Sequence, residues 1–342
     1  MNTFENVLNK ERNVTLTMYL NLDSSEFGFT KRPLIVVIPG GGYSMCSDRE
    51  SEIVALQYMA AGFQACVLRY TLRDKGGWPY PLEDYDQAIE FISQYAGEWN
   101  IDMDHVATVG FSAGGHLAAC TATLARHKPR AAICVYPAIL PDIVDACQPG
   151  MPRPHEHVDG DTSPCFLVSA RDDTVVKVNN TLVFAQVLEN AGISFEMHVY
   201  ASGRHGFSVG TPLVLTVPAT PRAACWVSDS IGWLGEIMGA LTAKGFTEPT
   251  LASRMNTDSA PFLSVRCSLA HIRKQPESVQ PLMDPLYTVI RNFCQEQGND
   301  FEVFCTIVGS ETVQNLLQNF QVPPEQVRKL NKALTAIPSM MQ

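Results

Sequence analysis

The sequence predicts an α/β fold, a three-layer sandwich with a mostly parallel central sheet, followed by a C-terminal helical appendage. Short apolar runs alternate with longer helical patterns from about residue 14 to about residue 240, which is typical of a doubly wound parallel sheet. Residues 34–38 are apolar throughout, as expected of a strand that is buried on both faces. Beyond about residue 247, helical patterns follow a polar linker.

Each element is predicted from the spacing of its apolar residues. Residues 14–20 alternate in the manner of an edge strand. The predicted strands are residues 14–20, 34–38, 65–70, 106–109, 131–136, 165–169 and 195–200. The predicted helices are residues 50–61, 84–99, 178–190 and 223–238, and a further helical pattern rich in alanine and leucine follows residue 112.

Two segments fall outside this alternation. Residues 137–164 are rich in proline, aspartate and histidine and show no periodicity, so we expect a long insertion that lies over the strand ends as a substrate-shaping cap. We therefore predict an α/β domain over residues 1–245 and a helical appendage over residues 246–342. Helical patterns in the appendage lie near residues 285–297, 311–320 and 324–337.

Composition and charge narrow the class of protein. The chain has 342 residues, of which 46% are hydrophobic and 18% charged, as in a globular protein with a sizeable core. Its formal net charge is −10, and no segment combines clustered lysine and arginine with aromatic residues, so a nucleic-acid partner is not expected. No run approaches the ~20 apolar residues of a membrane span. Residues 1–6 lack the pattern of a signal peptide, so we expect a cytoplasmic protein.

The ten cysteines are expected to be reduced. Cys66, Cys120, Cys134 and Cys165 lie within apolar strand or helix patterns, where a thiol behaves as a small core side chain. No pair of cysteines has the spacing of a zinc-ligand set. We therefore predict no structural zinc site, and the serine chemistry inferred below requires neither a metal nor a cofactor.

The most informative motif is Gly110-Phe111-Ser112-Ala113-Gly114, which stands between a short β-branched run and a helical pattern. A serine hydroxyl is a poor nucleophile at neutral pH, so a catalytic serine must be held at the tip of a strand-to-helix turn where a base can reach it. Small residues two positions either side of the serine relieve the crowding of such a turn. The motif predicts that Ser112 is a nucleophile.

A nucleophilic serine needs a base, and the base needs an orienting carboxylate. Asp172 and Asp173 follow the strand at residues 165–169, at the sheet edge where open α/β sheets build their sites. His205 lies in a glycine-containing loop and, of the eight histidines, is the one between the last strand and the last helix of the alternation. His116 lies on the helix behind the serine and is a poorer candidate for the base.

A glycine-rich segment, Pro39-Gly40-Gly41-Gly42-Tyr43, follows the strand at residues 34–38. Glycines let the backbone turn so that peptide N–H groups point at the oxygen that becomes negative during acyl transfer. We expect Gly41 and Gly42 to donate such groups, together with the residue after the nucleophile, Ala113, and Gly40 is a substitute for one of the glycines. The alternative is a phosphate-binding loop, but neither its lysine nor its glycine spacing follows.

With these motifs in place, the chain resembles the α/β-hydrolases of the esterase/lipase group, specifically the bacterial branch related to acetylxylan and feruloyl-type esterases. The resemblance covers roughly residues 14–240. It rests on residues 39–43, 47–50, 67–70 and 80–82 with Asp86, and on residues 110–116, 170–176 and 205–207. It departs from the family at Pro39, where many esterases carry histidine.

By this resemblance the catalytic roles fall on Ser112, Asp172 and His205. Asp172 is favoured because Val175 follows it by three, as in the G-x-x-D-x-x-V pattern of related hydrolases, although serine replaces the glycine of that pattern. Asp173 stays open as the alternative acid.

The resemblance implies a serine hydrolase that cleaves short-chain acyl esters, with acetyl esters on carbohydrates as the favoured substrates. Two alternatives stay open: an arylformamidase or amidase with the same triad, and a non-catalytic hydrolase fold whose C-terminal helices dock a partner. Tyr43 and Trp78 are candidates for lining the substrate pocket. The appendage could form a homo-oligomer through Leu316, Leu317 and Phe320.

Overall fold

The computed structural model describes residues 1–215, 221–258, 260 and 262–340. Residues 216–220 of the predicted α/β domain and residues 259, 261 and 341–342 of the predicted appendage lie outside the described residues. The chain divides into two compact units. Unit 1 comprises Met1–Asn190 and Ser194–Ser253, and unit 2 comprises Ala191–Ile193 and Arg254–Gln342.

Unit 1 is built around one sheet of eight strands. They are β1 (Asn2–Asn9), β2 (Val14–Leu20), β3 (Arg32–Ile38), β4 (Gln64–Arg69), β5 (Ile101–Phe111), β6 (Ala131–Val135), β7 (Cys165–Ala170) and β8 (Phe195–Tyr200). Their order across the sheet is β1-β2-β4-β3-β5-β6-β7-β8. Strand β2 pairs antiparallel with β1 and β4, and the other neighbours pair parallel. The predicted mostly parallel sheet is confirmed.

Helices cover both faces of this sheet. They are α1 (Glu52–Ala60), α2 (Tyr80–Tyr95), α3 (Ala113–Thr123), α4 (Pro141–Cys147), α5 (Asn179–Asn190) and α6 (Trp226–Met238). In β3, Ile35 and Val37 share an apolar cluster with Val54 of α1 and Trp226 of α6. Val36 is equally buried but faces the other side, because successive side chains of a strand alternate. This burial on both faces explains the uninterrupted apolar run and gives the three layers that the sequence predicts.

Three elements of unit 1 have no counterpart among the predicted ones: β1, α4 and a short hairpin of β9 (Leu241–Thr242) and β10 (Gly245–Phe246). Strand β1 is an edge strand without a single fully buried residue, so it lacks the apolar run that identifies the central strands. The expected boundary after residue 245 falls inside the hairpin. Unit 1 instead extends to Ser253, because the N–H groups of Thr250 and Leu251 donate to the Glu236 carbonyl of α6 at 2.8 and 3.0 Å.

The segment at residues 137–164 contains α4 and a 3-10 turn at Pro154–Glu156. Arg73, in the segment after β4, donates to the Cys147 carbonyl at 2.7 Å. A ring nitrogen of His116, in the first turns of α3, lies 2.8 Å from the Pro152 carbonyl. These two bonds connect the segment to residues that follow β4 and β5, at the carboxyl ends of those strands, where the predicted cap would lie. Its role as a cap stays a prediction.

Unit 2 is helical in its described residues. Its helices are α7 (Leu269–Arg273), α8 (Asp284–Gln297), α9 (Phe301–Ile307), α10 (Val313–Asn319) and α11 (Pro324–Leu334). Helices α7 and α9 lie outside the three helical patterns read from the sequence: α7 is only five residues long, and α9 has a single fully buried residue, Cys305. Three of the five helices begin at a side-chain cap, supplied by Ser268, Asp300 and Thr312.

The side chains expected to mediate self-association lie inside unit 2. Leu316 and Leu317 are buried in its apolar core, and Phe320 packs against that core. The expectation that they form an exposed association face is therefore wrong. Their helical spacing reports the packing of unit 2 on itself rather than a surface for a second copy.

Candidate active site

Ser112 stands at the turn between β5 and α3, with φ 53° and ψ −114°, a backbone conformation that few residues other than glycine adopt. The neighbouring glycines make the turn possible. A Cβ on Gly110 would lie 2.0 Å from the Gly114 carbonyl oxygen, and one on Gly114 would lie 2.1 Å from the Ile38 carbonyl oxygen. The two small residues of the motif are therefore required by close backbone contacts, as the sequence predicts.

His205 lies in the loop after β8, and its Nε2 is 2.9 Å from the hydroxyl oxygen of Ser112. Its Nδ1 is 2.7 Å from a carboxylate oxygen of Asp173. Because a carboxylate only accepts, the Nδ1 proton points at Asp173 and Nε2 is free to accept from the serine. The side chain of His205 is 20% exposed, whereas that of Asp173 is fully buried. The structure thus joins a hydroxyl, an imidazole and a carboxylate in one line.

The acid in this line is Asp173, so the choice of Asp172 over its neighbour is wrong in this structure. Asp172 turns away from the imidazole and accepts the N–H groups of Gly203 and Arg204, each at 2.9 Å. The other oxygen of Asp173 accepts the N–H groups of Val175 and Val176 at 2.8 and 2.9 Å. Two adjacent side chains in a turn point in different directions, and their spacing to a later valine does not decide which one faces His205.

The glycine-rich segment after β3 passes directly beside Ser112. A Cβ on Gly40 would lie 3.1 Å from the Cβ of Ser112 and 2.6 Å from the Phe111 carbonyl oxygen. Gly41 and Gly42 have φ +132° and +62°, and a Cβ on Gly41 would lie 2.2 Å from the Met45 carbonyl oxygen. Only glycine fits this path without strain.

The N–H of Gly40 donates to Glu50 at 2.9 Å, so Gly40 is not available as a substitute donor toward a substrate. Within the described part of the chain, the N–H groups of Gly41, Gly42 and Ala113 make no hydrogen bond to protein. These three are the groups that the sequence proposes for an oxyanion, and they remain candidates.

The two aromatic residues expected to line a substrate pocket contact His116 instead. Tyr43 is only 1% exposed, and its hydroxyl lies 2.7 Å from Nδ1 of His116. The half-buried ring of Trp78 meets the same imidazole edge-on, with centroids 5.9 Å apart. The expectation for Tyr43 is wrong, because its ring offers no surface to a substrate. That for Trp78 stays a prediction.

His116 is buried next to Tyr43 in its neutral form. The Pro152 carbonyl can only accept, so Nε2 carries the ring proton and Nδ1 accepts from the Tyr43 hydroxyl. Burial lowers the pKa of His116 to about 4. His116 thus fixes the orientation of Tyr43, the residue that follows the three glycines. The sequence signal for this role was its position four residues after Ser112, one turn along the same helix.

A buried pair, Glu50 and Tyr136, also lies at this site. Glu50 belongs to the family-like motif at residues 47–50, but the sequence assigns a role to neither residue. Their carboxylate and hydroxyl oxygens are 2.7 Å apart, and the Tyr136 ring packs edge-on against His205 with centroids 5.0 Å apart.

No group of three or more His, Cys, Asp or Glu side chains among the described residues is arranged to hold a metal ion. No helix in that part of the chain is long and apolar enough to cross a membrane.

Two family models match the chain. One, BD-FAE, matches residues 20–134, and the other, the dienelactone hydrolase family, matches residues 79–234. The two matched stretches together run from the end of β2 into α6 and include Ser112, Asp173 and His205.

Solved and curated proteins are also similar to this chain. An α/β-hydrolase enzyme from a Medee basin deep-sea metagenome library is 35% identical, with a TM-score of 0.65 over 70% of this chain and 98% of that chain. Endo-1,4-beta-xylanase B of Butyrivibrio fibrisolvens is 33% identical over 52% of this chain and 33% of its own length. Acetylxylan esterase of Xylanibacter ruminicola is 31% identical over 52% of this chain and 41% of its own length. The match thus spans less than half of either curated relative.

Proposed function

Because the chain belongs to the α/β-hydrolase family, we propose that it is a serine hydrolase that cleaves short-chain acyl esters, with acetyl esters on carbohydrates as its substrate class. The observation that carries the proposal is the unbroken line of hydrogen-bonding groups from Ser112 through His205 to Asp173. A serine at a strained turn, paired with an imidazole that a buried carboxylate orients, is the arrangement that acyl transfer requires.

In the first half of the reaction, the Ser112 oxygen attacks the ester carbonyl carbon while its proton passes to Nε2 of His205. Asp173 keeps the Nδ1 proton of the ring in place and stabilises the imidazolium that forms. The tetrahedral intermediate then collapses, the bond to the alcohol oxygen breaks, and His205 returns the proton to the leaving alcohol. Ser112 is left acylated.

In the second half, a water molecule gives a proton to His205 and attacks the acyl carbonyl carbon. The bond to the Ser112 oxygen breaks, the serine takes the proton back, and the free acid leaves. The developing negative charge on the carbonyl oxygen in both halves would be met by the N–H groups of Gly41, Gly42 and Ala113. Loss of one such donor typically costs about 10²- to 10³-fold in rate.

The substrate class is supported by the relatives. An acetylxylan esterase matches over an alignment of 202 residues and a xylanase over one of 212 residues, and each match covers 52% of this chain. These names describe those proteins, and the similarity of this chain to them favours acetyl groups on a sugar polymer here.

The proposal is tested by measuring acetate release from acetylated xylo-oligosaccharides and turnover of p-nitrophenyl acetate and of an aryl formamide. Ser112→Ala is expected to abolish ester turnover, because the nucleophile is lost. Ser93→Ala, which removes an exposed hydroxyl of α2, is the matched control and should retain full activity. Preferential turnover of the formamide would support the amidase alternative, and no turnover of any of the three by the unaltered protein would overturn the proposal.

A further inference from the structure

Glu50 is a buried carboxylate that lies between the two loops of the proposed active site. It is 4% exposed and comes at the end of a 3-10 turn that precedes α1. One of its oxygens accepts the N–H of Gly40 at 2.9 Å, and the other accepts the hydroxyl of Tyr136 at 2.7 Å. Gly40 in turn lies against the Cβ of Ser112.

The direction of each hydrogen bond around Glu50 follows from the donors. The N–H of Ser208 can only donate, and it points at the Tyr136 oxygen at 3.0 Å. The hydroxyl proton of Tyr136 is therefore directed to Glu50. With a hydroxyl on one oxygen and an N–H on the other, the carboxylate is an acceptor on both sides, which is the pattern of its ionised form.

Tyr136 connects this carboxylate to the base. It follows β6 directly, with φ 39°, a conformation that a non-glycine residue keeps only where its contacts hold it. Its ring packs edge-on against His205 and Phe207, with centroids 5.0 and 4.8 Å apart. The same side chain thus contacts the imidazole through its ring and the loop behind it, at Ser208, through its hydroxyl.

We propose that Glu50 is a positioning residue. Together with Tyr136 it fixes the position of the glycine-rich segment at Gly40 relative to the loop of His205. It also places a second negative charge near the imidazole, on the far side of the Tyr136 ring. This inference rests on the proposed function, since it assigns a role in the same reaction. The first charge is that of Asp173. Together the two carboxylates favour the imidazolium that forms when Ser112 is deprotonated.

The charges that face His205 have both signs. Asp173 contacts the ring directly, and Glu50 lies behind Tyr136. Arg49 places a positive charge next to the loop of His205, since a guanidinium nitrogen of Arg49 would lie 3.7 Å from a Cβ built on Gly206. Burial raises the pKa of Glu50, and the Tyr136 hydroxyl, the Gly40 N–H and the charges of His205 and Arg49 offset part of that rise.

Two further charged residues lie in the loop of His205 and in the turn after β7. They are Arg204 and Asp172, and the backbone N–H of Arg204 donates to the Asp172 carboxylate. Replacement of Glu50 by glutamine removes one negative charge from this set and leaves the positive charge of Arg49 next to the loop that carries the imidazole. The imidazolium is then disfavoured.

The test is the pH profile of kcat/KM for p-nitrophenyl acetate in the full-length protein and in Glu50→Gln. We expect kcat to fall roughly 10- to 100-fold with a much smaller change in KM, because the geometry of the attack is disturbed. We also expect the acid limb of the profile to move to lower pH by about one unit, because a nearby negative charge is lost. If the maximum of kcat/KM falls but the acid limb of its pH profile stays at the same pH, Glu50 only supports the fold, and the proposal is overturned.

Two further variants keep the test decisive. Tyr136→Phe retains the carboxylate and removes the hydroxyl that links it to the base loop, so kcat should fall several-fold while the limb moves less than in Glu50→Gln. If Glu50→Gln does not fold, Tyr136→Phe with unaltered kcat and KM overturns the proposal by itself. Asp86→Asn is the matched control, since Asp86 is a buried carboxylate bonded to Arg126 and His127 beyond the far end of α3, and its profile should match that of the unaltered protein.

The two proposals fail in distinguishable ways. If the unaltered protein turns over no ester, or if Ser112→Ala retains activity, the proposed function is wrong. If Ser112→Ala is inactive and the unaltered protein is active, but Glu50→Gln shows only a lower plateau, the hydrolase assignment stands and the role of Glu50 is wrong.

Discussion

The loop that carries His205 and the first turns of α3, which carry His116, place two imidazoles at the same site in opposite chemical settings. His205 is partly exposed and has a buried carboxylate on one nitrogen and the serine hydroxyl on the other. His116 is fully buried, with a tyrosine hydroxyl on one nitrogen and a backbone carbonyl on the other. An imidazole can act as a base only where its protonated form is stabilised, and His116 has no carboxylate bonded to it among the described residues.

The difference teaches that the partner, rather than proximity to the serine, decides what a histidine does. His116 is four residues from Ser112 along α3, and its backbone N–H donates to the Ser112 carbonyl at 2.9 Å. Its ring nevertheless serves the Tyr43 segment. His205 is far away in sequence but meets Ser112 in space, and Asp173 makes it the candidate base.

The largest expected effect comes from removing the carboxylate partner of His205. Asp173→Asn should lower kcat for p-nitrophenyl acetate by about 10⁴-fold, because the amide no longer holds the imidazole in the required tautomer. Asp172→Asn is the matched control. Its amide oxygen can still accept the N–H groups of Gly203 and Arg204, so most of the activity should remain. Equal losses in the two variants would contradict the assignment of Asp173.

The next effect is on the pH dependence of stability and concerns His116. An ordinary histidine has a pKa of 6.5, and burial lowers that of His116 to about 4. Between these values the unfolded chain binds a proton that the folded protein does not, so the free energy of unfolding falls as the pH drops through this window. The loss attributable to His116 should reach about 3 kcal/mol.

This loss is measured by urea unfolding of the unaltered protein and of His116→Gln at about pH 7 and about pH 4.5. Glutamine does not titrate, and the other ionisable groups are common to both proteins. The variant should therefore lose less stability on acidification. If the two proteins lose the same amount, His116 is not buried in its neutral form as described.

The smallest effect should follow from removing the hydroxyl partner of His116. Tyr43→Phe leaves Nδ1 of a buried imidazole without its donor, which should lower the free energy of unfolding by about 1–3 kcal/mol. The Gly40 segment keeps the bond from the Tyr70 hydroxyl to the Pro39 carbonyl at 2.8 Å, so kcat should fall far less than in Asp173→Asn. Thermal unfolding and ester turnover of the same preparation test both points. A loss of kcat as large as that of Asp173→Asn would mean that His116 takes part in the chemistry.

The central strands and the sharp turn at Ser112 could be predicted from the sequence because their causes are local. The apolar run of β3 follows from burial on both faces, and Gly110 and Gly114 follow from the close packing of one turn. Strand β1 and helices α7 and α9 lack such signals. The first has no fully buried side chain. Helix α7 is only five residues long, and α9 has a single fully buried residue and therefore no apolar stripe.

The rest of the candidate site could not be read from the sequence because its partners come from distant segments. Glu50 and Tyr136 are 86 residues apart, and although Glu50 lies in the family-like motif at residues 47–50, the local sequence of neither residue indicates the other. Tyr43 follows three glycines and resembles a pocket residue by position, but its direction is set by His116, 73 residues further on. Leu316 and Leu317 show the opposite case, because their apolar helical spacing is real and only the packing of unit 2 shows that it faces inward.

By itself, the sequence determined that the chain forms a parallel α/β sheet with a serine at a sharp turn, a histidine after the last strand of that sheet and glycines beside the serine. Backbone sterics and burial act on neighbouring residues, so they leave a local pattern. Tertiary structure alone decided which of two adjacent aspartates faces the imidazole, which histidine has a carboxylate partner, and that a buried glutamate lies behind the base. Those outcomes depend on the directions in which side chains leave separate loops, and these directions are set only when the loops pack together.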